Sequence, residues 1–356
     1  MQKSLLFLRI PILVLFLFIA VYPILISPTS NLNDSFGDFF AEFIYFKLVP
    51  IIFTLALIIL TYIWSKKLLD GWWTLLPPFL LTFSPIILNQ YYSVLQHTTK
   101  KFLSIILFEP HTHTTDIAAA FFYAIAIYYL MNFFSKPNKL NLFLTGLYFG
   151  LTQLTQFPAF IIIPYFLILI SIFYIASVKR DWAATEPPAR LKRFGLRGFK
   201  YFRSIIVIFI IGYLFAYIGY FINEAFSLQP LCYRCGPQNP IHTYFYRILT
   251  ESKANSYPPI TFLLKTYWPF LILIGFAFIY NIIGMIKSFR NFKFKGFFDY
   301  LGTSFPEFSM IVFIAIYSFF IIFFSSGISA EKLIPILPMV YILTASGLKR
   351  FWMNKL

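Results

Sequence analysis

His113-Thr-Thr-Asp116-Ile-Ala-Ala-Ala-Phe-Phe-Tyr-Ala-Ile-Ala-Ile-Tyr-Tyr-Leu-Met-Asn-Phe-Phe-Ser135-Lys136 opens on an acid, runs for 19 residues without a charge and closes on a base. About 20 mostly apolar residues are what an α-helix needs to cross a bilayer, so 116–134 reads as a membrane span. Nine more apolar runs follow the same logic, at roughly 5–27, 47–65, 72–89, 140–156, 157–177, 204–222, 262–286, 306–326 and 333–348. The stretch 102–108 (Phe-Leu-Ser-Ile-Ile-Leu-Phe) is too short to span and reads as an interfacial or re-entrant helix. Spans five and six meet at Gln156-Phe157-Pro158, which reads as a tight hairpin.

The charges sort to alternate ends of these runs. With the N-terminus placed inside, the inside segments hold 21 of the 29 Lys and Arg but only five of the 13 acids. The outside connections hold eight of each, so the net charge of +16 belongs to the inside. A one-sided Lys/Arg excess is the positive-inside signature of a multi-pass protein, with both termini expected in the cytoplasm of a cell-membrane protein. Two of the inside segments, 178–203 and 287–305, read as basic loops that set the topology. The outside loops are 28–46, 90–115 and 223–260, together with the short 325–332.

Composition points the same way. The 356 residues are 59% hydrophobic and 12% charged, far from the roughly 25% charged norm of soluble domains. The 22% aromatic content, with 48 Phe and 24 Tyr, suits a lipid-facing bundle with aromatic interfaces. No nucleic-acid motif accompanies the basic charge, so anionic headgroups rather than RNA or DNA are its expected partners. The run Ile10 to Ile26 follows Lys3 and Arg9 but has no small-residue cleavage site, so it reads as an uncleaved first helix. The fold class is therefore an all-α polytopic membrane protein, a single domain over 1–356.

Chemistry is expected in the outside loops, where acids are not neutralised by a basic background. Asp34 and Asp38 lie in the first of them, and Asp116 sits where the fourth span begins. A carboxylate at that depth is costly unless it is paired or faces water, and so marks a functional candidate. A helix N-terminus also favours Thr115 and Asp116 on capping and dipole grounds alone. His111, His113 and Asp116, with Glu109 and His97 nearby, match a metal site in residue type. Their spacing fits no helix-face pair or zinc finger, and no bound metal or cofactor is expected. Cys232-Tyr-Arg-Cys235 in the long outside loop reads either as a local disulfide or as two free thiols. Lys265 stands about two turns into an apolar run between Pro259 and Pro269. It either snorkels to the outer interface or contacts an anion such as a phosphate.

The order of these motifs resembles the GT-C membrane glycosyltransferases of the protein-mannosyltransferase and aminoarabinose-transferase type. The resemblance covers most of the chain. It runs through the acidic first loop with Asp34 and Asp38, Tyr62-Ile-Trp-Ser-Lys66-Lys67 and Leu76-Pro-Pro-Phe-Leu-Leu-Thr-Phe-Ser84-Pro85. It continues through Thr114-Thr115-Asp116, Gly146 to Gln156, Tyr257 to Phe270, and Lys332-Leu-Ile-Pro335-Ile-Leu-Pro338. The chain departs from that family in lacking an adjacent Asp-Glu pair, in Gln156 where lysine is usual, and in Glu331-Lys332 where Arg-Tyr is common. The resemblance implies a bundle of about 10 transmembrane helices (range 9–11) whose extracytoplasmic loops carry short interfacial helices. It implies a polyprenyl-phosphate sugar donor and a protein, lipid or glycan acceptor. Asp38 or Asp34 would act as general base, with Asp116 orienting the acceptor. Lys265, Arg247 or Lys332 would neutralise the leaving phosphate, and His113 and Tyr257 would line the substrate site. A competing class, a transporter or flippase of lipid-linked or polar solutes, predicts ionisable residues in mid-span and broken helices in matched halves.

Overall fold

The structure is a computed structural model that describes residues 49–84, 87, 113–155, 161–182, 187–226, 268–324 and 330–353. All the regular structure among them is helical, and no strand occurs. The α-helices are α1 (Val49–Leu68), α2 (Leu76–Thr82), α3 (His113–Ser135), α4 (Lys139–Thr155), α5 (Ile162–Trp182), α6 (Pro187–Phe226), α7 (Trp268–Phe324) and α8 (Leu337–Met353). Short 3₁₀ helices at Gly71–Leu75 and Ala330–Ile336 lead into α2 and α8. Five stretches among the described residues are long and apolar enough to cross a bilayer: Ile51–Leu68, Ile117–Ser135, Phe199–Gly219, Ser304–Ile321 and Leu333–Met353. The chain is a helical membrane protein on that ground. The expected first span and the piece at 102–108 lie outside the described residues.

The chain divides into two compact units, with α3 and α7 running through both. The first holds Met1–Ala124, Tyr257–Asn281 and Ile328–Leu356. Its core is α8, in which every residue from Leu337 to Gly347 is buried. That helix packs on α1 and α2. It also meets the first part of α7, where Phe351 lies edge-on to Phe276 and Tyr280. A Cβ added at Gly347 would stand 2.7 Å from the Ala277 carbonyl, so glycine is what lets these helices approach. The expected span at 72–89 is a turn of 3₁₀ helix followed by seven residues of α2. Gly71 at φ 62° supplies the left-handed corner after α1. Pro77 and Pro78 fit the first turn of α2, where no N–H is needed, and Ser84 precedes Pro85, which disfavours continuation.

The second unit holds Ile125–Ser256 and Ile282–Gly327. Its closest contact is the seam between α4 and α6. Gly150 lies against the backbone of Gly212, and the ring of Phe149, on the same helix as Gly150, fills the space a Gly212 side chain would need. Lipid tails are as apolar as the helices, so burial alone drives little association and close van der Waals packing through small residues carries the contact. Phe149, Tyr165, Phe166, Phe313 and Tyr317 are fully enclosed and form the unit's centre.

Every described residue of two expected loops is helical. Within the segment read from charge as a loop, residues 178–182 complete α5 and residues 187–203 form the first 17 residues of α6, while 183–186 lie outside the described residues. Residues 287–305 lie inside the 57-residue α7. Charge marks a segment as polar without breaking a helix, and Lys and Arg are good helix formers. Pro187 and Pro188 sit at the start of α6, where their missing N–H groups cost nothing. The apolar parts of α7, Leu271–Gly284 and Ser304–Ile321, remain distinct. The helix continues between them where alternating topology expects a reversing loop.

Candidate functional site

Two of the expected site residues sit at the heads of enclosed helices. Asp116 is the fourth residue of α3 and immediately precedes the span Ile117–Ser135, 78% of which is buried. Lys332 is the third residue of the 3₁₀ helix Ala330–Ile336 and immediately precedes the span Leu333–Met353, 83% buried. The other three spans are 22–44% buried. So the acid and the cation each open one of the two most enclosed spans, and both residues belong to the first unit. His113 begins α3 and shares a helix face with Asp116, three residues on. Backbone position is what the structure describes for these three.

Local sequence explains why α3 starts where it does. A first-turn carboxylate complements the positive end of the helix dipole. Ile117, Ala118, Ala119 and Ala120, which follow, are all buried, with the alanines allowing close approach. Phe121 and Phe122 then pack against Phe53 of α1 at ring separations of 5.8 and 5.4 Å. On the other side, Leu333, Ile334 and Ile336 are buried and anchor the turn that carries Lys332.

Asp34, Asp38, Arg247, Tyr257 and Lys265 lie outside the described residues, as do Cys232 and Cys235. Among the described residues no three His, Cys, Asp or Glu side chains gather in a way that would hold a metal.

Several buried polar groups were not singled out from sequence. In the first unit Tyr341 donates its hydroxyl to Ser84 Oγ at 2.9 Å, tying α8 to the end of α2. Asn281 donates Nδ2 to the Leu343 carbonyl at 2.9 Å, tying α7 to α8, and its buried Oδ1 has no hydrogen-bond partner. Along α1, Thr61 and Ser65 donate to the carbonyls of Leu57 and Thr61 at 2.7 Å, so their hydroxyls are satisfied within the helix. In the second unit Ser309 donates to Pro306 O at 2.8 Å and stands 3.1 Å from Met131 Sδ. Glu307 beside it is 9% exposed. A lone amide in Tyr280-Asn281-Ile282-Ile283 and a lone acid in Phe305-Pro306-Glu307-Phe308 are the signals that mark these positions.

No protein-family model matches the chain, and neither a curated protein nor a solved structure matches it.

Proposed function

We propose that the chain is a membrane-embedded glycosyltransferase with a GT-C-like bundle of about 10 helices, moving a sugar from a polyprenyl-phosphate donor to an acceptor hydroxyl at the extracytoplasmic face. The order of motifs in the sequence supports this reading. The observation that carries it is that Asp116 and Lys332, an acid and a cation, each open one of the two most enclosed spans in the same unit.

The donor's anomeric carbon is already activated by its phosphate. A carboxylate, Asp38 or Asp34, takes the proton from the acceptor hydroxyl as its oxygen attacks that carbon. The bond to the phosphate oxygen breaks with its electron pair, and the polyprenyl phosphate leaves as an anion. One displacement inverts the anomeric centre, by the logic that separates inverting from retaining sugar hydrolysis. Lys332, with Lys265 and Arg247, offsets the charge on the departing phosphate. Asp116 holds the acceptor in line, and His113 and Tyr257 line the same site.

Purified full-length protein given a radiolabelled polyprenyl-phosphate sugar and a hydroxyl acceptor tests this. Wild type is expected to transfer sugar, and loss of the base in Asp38→Asn or Asp34→Asn to slow transfer by roughly 10²–10⁴-fold. Wild-type rates in Asp34→Asn, Asp38→Asn and Asp116→Asn alike sink the proposal. Solute uptake into liposomes without any sugar transfer replaces it with a transporter.

A further inference from the structure

Helix α6 carries a stripe with a charged head and an apolar tail. Phe199, Arg203, Ile206, Ile210, Tyr213 and Tyr217 recur at alternating steps of four and three, so they share one face, and all six are exposed. Lys200 is exposed beside Arg203, one turn back on the helix. From Ile206 to Tyr217 the stripe is uncharged and runs about 17 Å along the axis. That is close to one leaflet, half of the roughly 30 Å hydrocarbon core. This span is also 22% buried, the least of the five, so its outer face is open to lipid along its length.

The basic head extends beyond the span. Between Arg190 and Arg203 the six basic residues fall within an arc of about 160° at 100° per residue. Phe194, Leu191, Tyr201 and Phe202 occupy the opposite arc, Phe199 lies at its border next to Arg203, and Leu196 is the exception. Topology determination needs a count of positive charges near a span, not their segregation to one side of a helix. Segregation is what a helix needs to present cations together to an anionic surface.

We propose that this face of α6 is a binding site for an anionic phospholipid, with Lys200 and Arg203 on the headgroup phosphate and an acyl chain along Ile206, Ile210, Tyr213 and Tyr217. The proposal rests on the membrane assignment alone and stands whether or not the chain transfers sugar.

Native mass spectrometry of the full-length protein, equilibrated with equal phosphatidylglycerol and phosphatidylcholine, reads the preference directly. Wild type should retain phosphatidylglycerol preferentially, and less so as salt rises. Lys200→Gln/Arg203→Gln should weaken that preference by about fivefold per charge removed. Lys200→Arg/Arg203→Lys should keep it, which separates charge from folding. Lys136→Gln/Lys139→Gln, which neutralises two other exposed lysines of the same unit, should also keep it. An unchanged preference in the Gln pair, an equal loss in the Lys136/Lys139 control, or displacement of phosphatidylglycerol by an equimolar polyprenyl phosphate overturns the proposal.

Discussion

At the scale of single residues, small and polar side chains decide more than the abundant apolar ones. Gly150 has no room for a side chain against Gly212, whereas Gly275 faces open space. Gly150→Val is therefore expected to lower the thermal midpoint in detergent by an amount equivalent to about 1–3 kcal/mol. Gly275→Ala should leave it unchanged or raise it slightly, since alanine is the better helix former. Tyr341→Phe removes one buried hydrogen bond and leaves the Ser84 hydroxyl without that donor, a cost of about 1 kcal/mol read from the same melt. Asp116 separates structure from chemistry. Losing its charge costs the helix only about 0.3–1 kcal/mol of dipole interaction, so Asp116→Asn should melt close to wild type while sugar transfer falls. A large loss of stability with transfer intact would assign the residue to the fold. The positions of Asp116 and Lys332 at helix starts were legible in sequence because each is the last charge before an apolar run. Asn281 and the glycine seam were not, because their importance lies in what crosses them from another helix.

At the scale of elements, apolar length located the helices and charge misplaced their ends. The expected spans at 47–65 and 116–134 agree with α1 and α3 to within a few residues, whereas 140–156 is helical as α4 but is not among the described stretches apolar enough to cross a bilayer. The span at 72–89 did not survive as one helix, since the Pro-Pro pair and Gly71 cut it into a 3₁₀ turn and a short α2. Residues 178–203 and 287–305 were read as loops because polarity was equated with irregular backbone, yet both carry good helix formers and no internal proline before Pro306 except the pair that opens α6. Spin labels placed singly from 190 to 203 should show mobility and accessibility with a period of 3.6, continuous with the span that follows. Uniformly mobile labels through that stretch would restore the loop and remove the phospholipid site.

At the scale of the whole molecule, the charge asymmetry and the enclosed spans give complementary information. The clustering of basic residues between alternate apolar runs needs only the order of charges along the chain, while the side each cluster faces rests on the expected ten spans. The division into two units was not, because it depends on which helices pack together. The proposed sugar transfer requires Asp116 and Lys332 to open onto one extracytoplasmic site. Its most direct test uses single cysteines, Asp116→Cys and Lys332→Cys, in a background where Cys232 and Cys235 are serine, labelled in sealed right-side-out vesicles. Both positions should react with a membrane-impermeant thiol reagent from the outer face, and the double variant should cross-link with a short bifunctional reagent. Labelling of the two positions from opposite faces contradicts the claim.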